Sequence, residues 1–220
     1  MSSAGLGGTS VATRLEVRHL GVLEYSAALA LQREVHAQVA SGQTPPTLLL
    51  VEHPSVYTAG RLTKPEERPI DGTPVVDVDR GGKITWHGRG QIVGYPIVPL
   101  RQRNRVVEYV REIEAALIET CKHFGIAAEQ FCERTGVWVR DSAGDRKIAA
   151  IGVRVAQGVT MHGFALNVDP ELAAFSKIVP CGISDADVSS ISAELKRDVS
   201  IEEVLPIVER EISLALERVM

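Results

Sequence analysis

A lone cysteine, Cys181, stands in a stretch that regular structure does not tolerate, Ile178-Val179-Pro180-Cys181-Gly182-Ile183-Ser184-Asp185. Pro180 lacks a backbone donor and Gly182 admits backbone angles that other residues avoid, so the sequence predicts a thiol on a sharp turn. Upstream, one lysine heads an apolar run, Lys147-Ile148-Ala149-Ala150-Ile151-Gly152-Val153. An ammonium among residues of buried type is costly unless it has a partner or a task. A thiol and an ammonium in such settings are the parts of an activated cysteine nucleophile, because the thiolate is the attacking species and a nearby cation favours it. A cysteine in a turn is also often inert, so the residue types alone leave Cys181 open between nucleophile, ligand and bystander. Of the other two cysteines, Cys121 falls on the apolar stripe of an expected helix and reads as core. Cys132, in Phe131-Cys132-Glu133, reads as the edge of a strand.

The densest glycine run is Arg80-Gly81-Gly82-Lys83-Ile84-Thr85-Trp86-His87-Gly88-Arg89-Gly90-Gln91. Its glycine order is wrong for a dinucleotide fingerprint, no helix follows it, and it is not a P-loop. It reads either as a tight hairpin or as a place where backbone closely approaches an extended ligand, with Arg80 and Lys83 supplying charge. His87 and His162 each precede a glycine, a setting for strand ends and bulges that re-aim side chains towards sites. His19, His36, His53 and His123 show no convergent partner in the sequence. Zinc held by His87, His162 and Cys181 is an alternative, but no local pair has the short ligand spacing of structural zinc sites, so no metal is expected.

These groups need a scaffold. The 220 residues, 45% hydrophobic and 24% charged, suit one globular domain with a substantial core. A net charge of −4 argues against general nucleic-acid binding. No apolar run approaches the ~20 residues of a membrane helix. The first twelve residues carry no signal-peptide pattern and read as a disordered tail ahead of a single domain over 13–220. Three cysteines without a C-x-x-C pair predict reduced thiols and a cytoplasmic protein. Period-2 alternation or short apolar runs predict strands over 15–20, 47–52, 75–79, 84–86, 92–98, 136–139, 148–155 and 160–168. A helix is expected over 25–39, and 58–74 reads as a long loop. A second helix, with Asn104 as N-cap, carries Val106, Val110, Ile113, Leu117, Cys121 and Phe124, and Gly125 ends it. Ser200-Ile201-Glu202-Glu203 is a capping box opening a last helix. Strands outnumber helices and most neighbours are close enough in sequence to be antiparallel, so the class is α+β, or α/β with a mixed sheet and flanking helices.

Four motifs in series then carry a resemblance: R-G-G-K-I-T-W-H-G-R-G-Q, K-I-A-A-I-G-V-R-V, T-M-H-G-F-A-L-N-V and I-V-P-C-G-I-S-D. Over residues 15–195 the chain resembles the lipoyl(octanoyl) transferases, most closely those of actinobacteria. The resemblance implies the fold shared with lipoate and biotin ligases. It also implies an acyltransferase that moves octanoyl, or lipoyl, from an acyl carrier protein to a lysine of a lipoyl domain, the first step of endogenous protein lipoylation. By position, the catalytic pair falls on Cys181 as acyl-thioester nucleophile and Lys147 as thiolate activator and proton carrier. The acyl pocket falls on Arg80, Gly81, Gly82, Lys83, Thr85, His87, Gly88 and Gln91, on Ala149, Ala150, Ile151 and Gly152, and on His162, Gly163 and Phe164. Implied partners are octanoyl-acyl carrier protein as donor and, as acceptors, lipoyl domains of 2-oxoacid dehydrogenase E2 subunits and the glycine cleavage H protein. Neither ATP nor metal is implied, and a monomer is expected. Arg89 stands where the family usually has proline. The competing reading is an ATP-dependent lipoate or biotin ligase on the same fold. Carrier proteins are acidic, as is this chain, so docking calls for a local basic patch, with Arg101, Arg103 and Arg105 the first choice and Arg61, Lys64 and Arg89 the next.

Overall fold

The computed structural model describes residues 14–70, 72–102, 105–132, 134–178 and 187–220. The expected nucleophile Cys181, its neighbours Pro180 and Gly182, and Arg103 and Asn104 lie outside the described residues.

The principal sheet is built from β1 (Glu16–Val22), β2 (Thr47–Glu52), β6 (Gln91–Ile97), β10 (Val159–Asn167), β9 (Gly144–Ala156), β8 (Val137–Asp141) and β7 (Ala128–Glu129), in that spatial order. β1 pairs with β2 in parallel, and the remaining neighbours on this path are antiparallel. A two-residue strand, β11 (Asp187–Val188), adds to β9 in parallel. A smaller sheet of β4 (Val75–Asp77), β3 (Val56–Ala59) and β5 (Thr85–His87) stands beside it. The mixed sheet with flanking helices matches the expected class.

Both faces of the central strands are buried, which is why they read as continuous apolar runs and not as alternation. In β2, Leu48 and Leu50 face a core shared with helices α2 (Val106–His123) and α4 (Ile201–Val219), the short α3 (Ile191–Leu195) coming just before α4 in the chain, while Leu49 and Val51 face α1 (Tyr25–Ala40). Helix α2 buries Tyr109, Ile113, Leu117 and Cys121, and α4 buries Val204, Val208 and Ile212, each at four-residue spacing. Ser200 caps α4 by accepting from the Glu203 N–H at 3.3 Å. Gly125, at φ +75, closes α2 by donating its N–H to Lys122 O.

Three local expectations change. The stretch 58–74 is not one loop: it contains the end of β3 and a 3₁₀ turn over Pro65–Glu67. Tyr57 and Ala59 of that strand are buried, and its partners β4 and β5 are distant in sequence. Cys132 is exposed and off any strand; the strand there is the two-residue β7. The cap of α2 is Arg105, which makes no side-chain cap bond.

Candidate active site

Between the two sheets lies a cavity of about 360 Å³, within the usual range for small-ligand sites. Its wall on the main sheet comes from β6, β9 and β10. The pairing of β8 with β9 slips between Val137 and Trp138: Val137 faces Ala149, whereas Trp138 faces Lys147. Ile148 is therefore the extra residue of a β-bulge. Strict alternation would put Lys147 and Ala149 on one face. The bulge instead turns Ile148 and Ala149 into the core and leaves Lys147 and Ala150 lining the cavity.

Lys147 is only 6% exposed. Its ammonium sits 4.6 Å from the centroid of the Trp138 ring, a cation–π contact. Among the described residues no carboxylate lies within ion-pair distance of it. A buried cation held by a π face in place of an anion is available for chemistry. The backbone around it is tied to the chain that follows Cys181: Val188 is the register partner of Lys147, and Ser189 N–H donates to Lys147 O at 2.9 Å. Arg146, next to Lys147, donates to Glu194 from Nε at 2.8 Å and Nη2 at 3.0 Å. Ser189 Oγ donates to the same carboxylate at 2.5 Å.

The opposite wall is the glycine-rich loop. Arg80 and Lys83 line the cavity, but they also tie the loop to β3 and to the 3₁₀ turn. The Arg80 guanidinium donates to Thr58 O (2.9 Å), Thr58 Oγ1 (3.0 Å), Gly81 O (3.0 Å) and Lys83 O (2.8 Å), stapling the loop to β3. Lys83 is bonded to Glu67. Asp79 ties the loop to β10, accepting from His162 Nε2 at 2.8 Å and pairing with Arg154. Burial raises the Asp79 carboxyl, yet the His162 hydrogen bond and the nearby Arg154 guanidinium bring it below its ordinary value. His162 has φ +57, rare for a non-glycine residue. Its backbone N–H is held by Gln32 Oε1 at 3.1 Å and its ring by Asp79, so the strained conformation is fixed from two sides.

His87 sits in a buried aromatic group drawn from α1, β5, β6 and the turn after β2. It stacks on Tyr25 (6.1 Å, 10°) and meets His53 edge-on (5.9 Å), and His53 accepts from Tyr95 Oη at 2.7 Å. Burial, then His53 and Arg80, push the His87 pKa down to about 3, so the ring is neutral. It donates from Nδ1 to Gln91 Oε1 (3.2 Å) and accepts from Thr58 at Nε2 (3.4 Å). Burial likewise lowers His53 and raises Tyr25 to about 12. These groups are neutral near pH 7, so the inner wall carries polar atoms without charge.

Of the residues expected at the pocket, Arg80, Gly82, Lys83, Thr85 and His87 line the cavity, as do Lys147, Ala150, Ile151, Gly152, His162, Gly163 and Phe164. Four do not. Gly81 instead donates its N–H to Val153 O. Gly88 lies so close to Trp86 that a Cβ would be 2.2 Å from the ring. Gln91 lies behind His87 and links it to Asn167 at 2.9 Å. Ala149 is in the core. The sequence reading missed Tyr25, Leu62, Val93, Tyr95, Arg134, Thr135 and Ala165 of the lining. It also gave His53 no convergent partner, whereas the fold brings His53 onto Tyr95 and His87. A tyrosine at a helix start and a histidine after a strand carry no spacing signal that joins them.

The chain matches the lipoyl protein ligase A/B catalytic domain family over residues 24–213. It is 56% identical over 209 residues to the octanoyltransferase of Mycolicibacterium paratuberculosis, covering 94% of this chain and 89% of that protein. It is 52% identical over 211 residues to the octanoyltransferase of Salinispora tropica, covering 95% and 99%. In fold it is similar to lipoate-protein ligase A solved with ATP (TM-score 0.71, 18% identity, 92% of this chain and 85% of that one). It is similar, less closely, to the biotin protein ligase of Aquifex aeolicus (TM-score 0.51, 12% identity, 93% and 69%).

Proposed function

The chain belongs to the lipoyl protein ligase A/B catalytic domain family, and from that premise we propose that it is an octanoyltransferase working through a cysteine acyl-enzyme. The donor is an octanoyl thioester on an acyl carrier protein. The acceptor is the ε-amine of a lysine on a lipoyl domain, such as those of 2-oxoacid dehydrogenase E2 subunits or the glycine cleavage H protein.

In the first step the Cys181 thiolate attacks the thioester carbonyl and the carrier thiolate leaves, giving an octanoyl thioester on Cys181. One thioester replaces another, so the step is near thermoneutral and calls for no ATP. In the second step the acceptor amine attacks this carbonyl, the Cys181 thiolate leaves, and an amide forms. Lys147 favours the thiolate electrostatically, gives its proton to the departing carrier thiolate, and in its neutral form takes the proton that the amine loses. The cavity holds the chain: burying about six methylenes at ~0.8 kcal/mol each contributes roughly 5 kcal/mol, which favours medium chains over acetyl.

The observation that carries this reading is the setting of Lys147. It is a buried ammonium without a carboxylate partner among the described residues, it opens on the cavity, and it is in register with the strand seven positions after Cys181. The test is octanoyl transfer to a purified lipoyl domain from octanoyl carrier protein in the absence of ATP, followed by the mass of the domain. The expected result is octanoylation without nucleotide. A strict requirement for ATP would establish ligase chemistry instead.

A further inference from the structure

The cavity lining includes four cations, Arg80, Lys83, Arg134 and Lys147, and among the described residues no Asp or Glu. The chain as a whole carries −4; with Lys83 paired to Glu67, the local positive sign rests on Arg80, Arg134 and Lys147. The rim repeats it. One lip is the chain at 60–62, pinned to the glycine-rich loop by Arg61 N–H to Arg80 O (3.2 Å) and Leu62 N–H to Gly82 O (3.1 Å). Leu62 lines the mouth yet is 64% exposed, an uncommon state for leucine. Exposed Arg61 precedes it, and Lys64, with a side chain 64% exposed and its ammonium 4.0 Å from the exposed Glu66 carboxylate, follows. Arg134, 32% exposed, forms the other lip, 3.9 Å from Asp145. An apolar side chain flanked by cations beside a cavity has the make-up of a contact surface.

The patch favoured by sequence is built differently. Arg101 Nε donates to the C-terminal Met220 O, Arg105 to Glu108 and Arg218 to Glu112, each at 2.6 Å. They surround a separate cavity of about 220 Å³ that shares no lining residue with the first. Arg101, Arg105 and Arg218 do not border the cavity on which Lys147 opens.

Resting on the octanoyl-transfer reading above, we infer that the acidic protein carrying the acyl thioester docks on the cavity rim. Leu62 makes the apolar contact, Arg61 and Lys64 meet the partner's carboxylates, and the thioester enters between the lips. Steering by such charges acts on association and fades with salt.

The test compares kcat/KM for octanoyl carrier protein with that for a small octanoyl thioester, in the wild type, Arg61→Glu/Lys64→Glu and Arg101→Glu/Arg105→Glu. The rim variant is expected to lose about ten-fold or more on the carrier at low salt and less than about two-fold on the small thioester. The Arg101/Arg105 variant is expected to change by less than about two-fold on both. Equal losses on both substrates, no loss in the rim variant, or a carrier-specific loss in the Arg101/Arg105 variant would each overturn the inference while leaving octanoyl transfer intact. A wild type that turns over neither thioester would remove the transfer reading, and the docking inference with it.

Discussion

An added methyl at Gly94 should cost stability while leaving the cavity unchanged. Gly94 of β6 is the register partner of Phe164 of β10. A Cβ on Gly94 would lie 2.2 Å from the Phe164 ring Cζ and 2.3 Å from Cε1. Carbon contacts settle at about 3.5–4.0 Å, so the ring must retreat by about 1.5 Å. That ring belongs to the core shared with α2 and α4, which is close-packed and resists it. Val93, Tyr95 and Ala165, which line the cavity, pack on the opposite face of the sheet with α1. Overpacking costs about 1–3 kcal/mol, and at about 2–4 °C per kcal/mol for a chain of this size Gly94→Ala should lower Tm by about 2–12 °C. The ratio of kcat/KM for octanoyl and hexanoyl small thioesters should stay as in the wild type. A thermal melt gives the first quantity and release of free thiol the second. An unchanged Tm, or an octanoyl-to-hexanoyl ratio that falls, would refute this assignment of the two faces.

Lys147→Met keeps the packing on Trp138 but removes the ammonium; it should raise the pH midpoint for alkylation of Cys181 and slow transfer to the acceptor amine by about 10²–10⁴. An unmoved midpoint with unchanged transfer would make Lys147 a structural residue. Cys121 is fully buried, with its thiol pushed up to about 12 by burial, whereas Cys132 is exposed. A thiol reagent at pH 8 should therefore label Cys132 well before Cys121 in the folded protein, and early labelling of Cys121 would contradict the described core. Glu194 is held below the ordinary glutamate value of 4.5 by the Arg146 hydrogen bonds, against burial and aided by Ser189. A depressed acid lends stability above its unfolded pKa and loses it as pH falls through the folded one. Glu194→Gln should thus lower Tm at pH 7 by about 4–8 °C, for ~2 kcal/mol of charge-assisted bonding, and the gap from wild type should narrow below about pH 4. A gap that is constant with pH would rule out the ion pair as its source.

Much of the scaffold was legible because burial repeats at fixed periods. The runs at 47–52, 92–98 and 160–168 are apolar on both faces, as central strands must be, and α4 declares itself through Ser200 and the spacing of Val204, Val208 and Ile212. Short pieces were not legible: β3 lies in a polar stretch whose partners are remote in the chain, and β7 and β11 are two residues each. At the site, Lys147 stood out as a cation in an apolar run, and the resemblance placed most of the glycine-rich loop on the cavity. The bulge at Ile148 was invisible to alternation, because it arises from the pairing with β8 and not from the residues of β9. The convergence of Tyr25, His53, His87 and Tyr95 was equally hidden, since only the packing of α1 and the small sheet against β6 brings them together. Arg80 and Lys83 were read as ligand charges. Their partners Thr58 and Glu67 lie 16 to 22 positions away, in a region that read as loop.

The central claim is that the acyl group passes through Cys181. Mixing the protein with octanoyl carrier protein, without ATP and without acceptor, quenching in acid and mapping the adduct by peptide mass spectrometry tests it most directly. The account predicts one octanoyl group per chain, on the peptide bearing Cys181, absent in Cys181→Ser and discharged when a lipoyl domain is added. An adduct on another residue, or octanoylation of the lipoyl domain by Cys181→Ser at the wild-type rate, would contradict it.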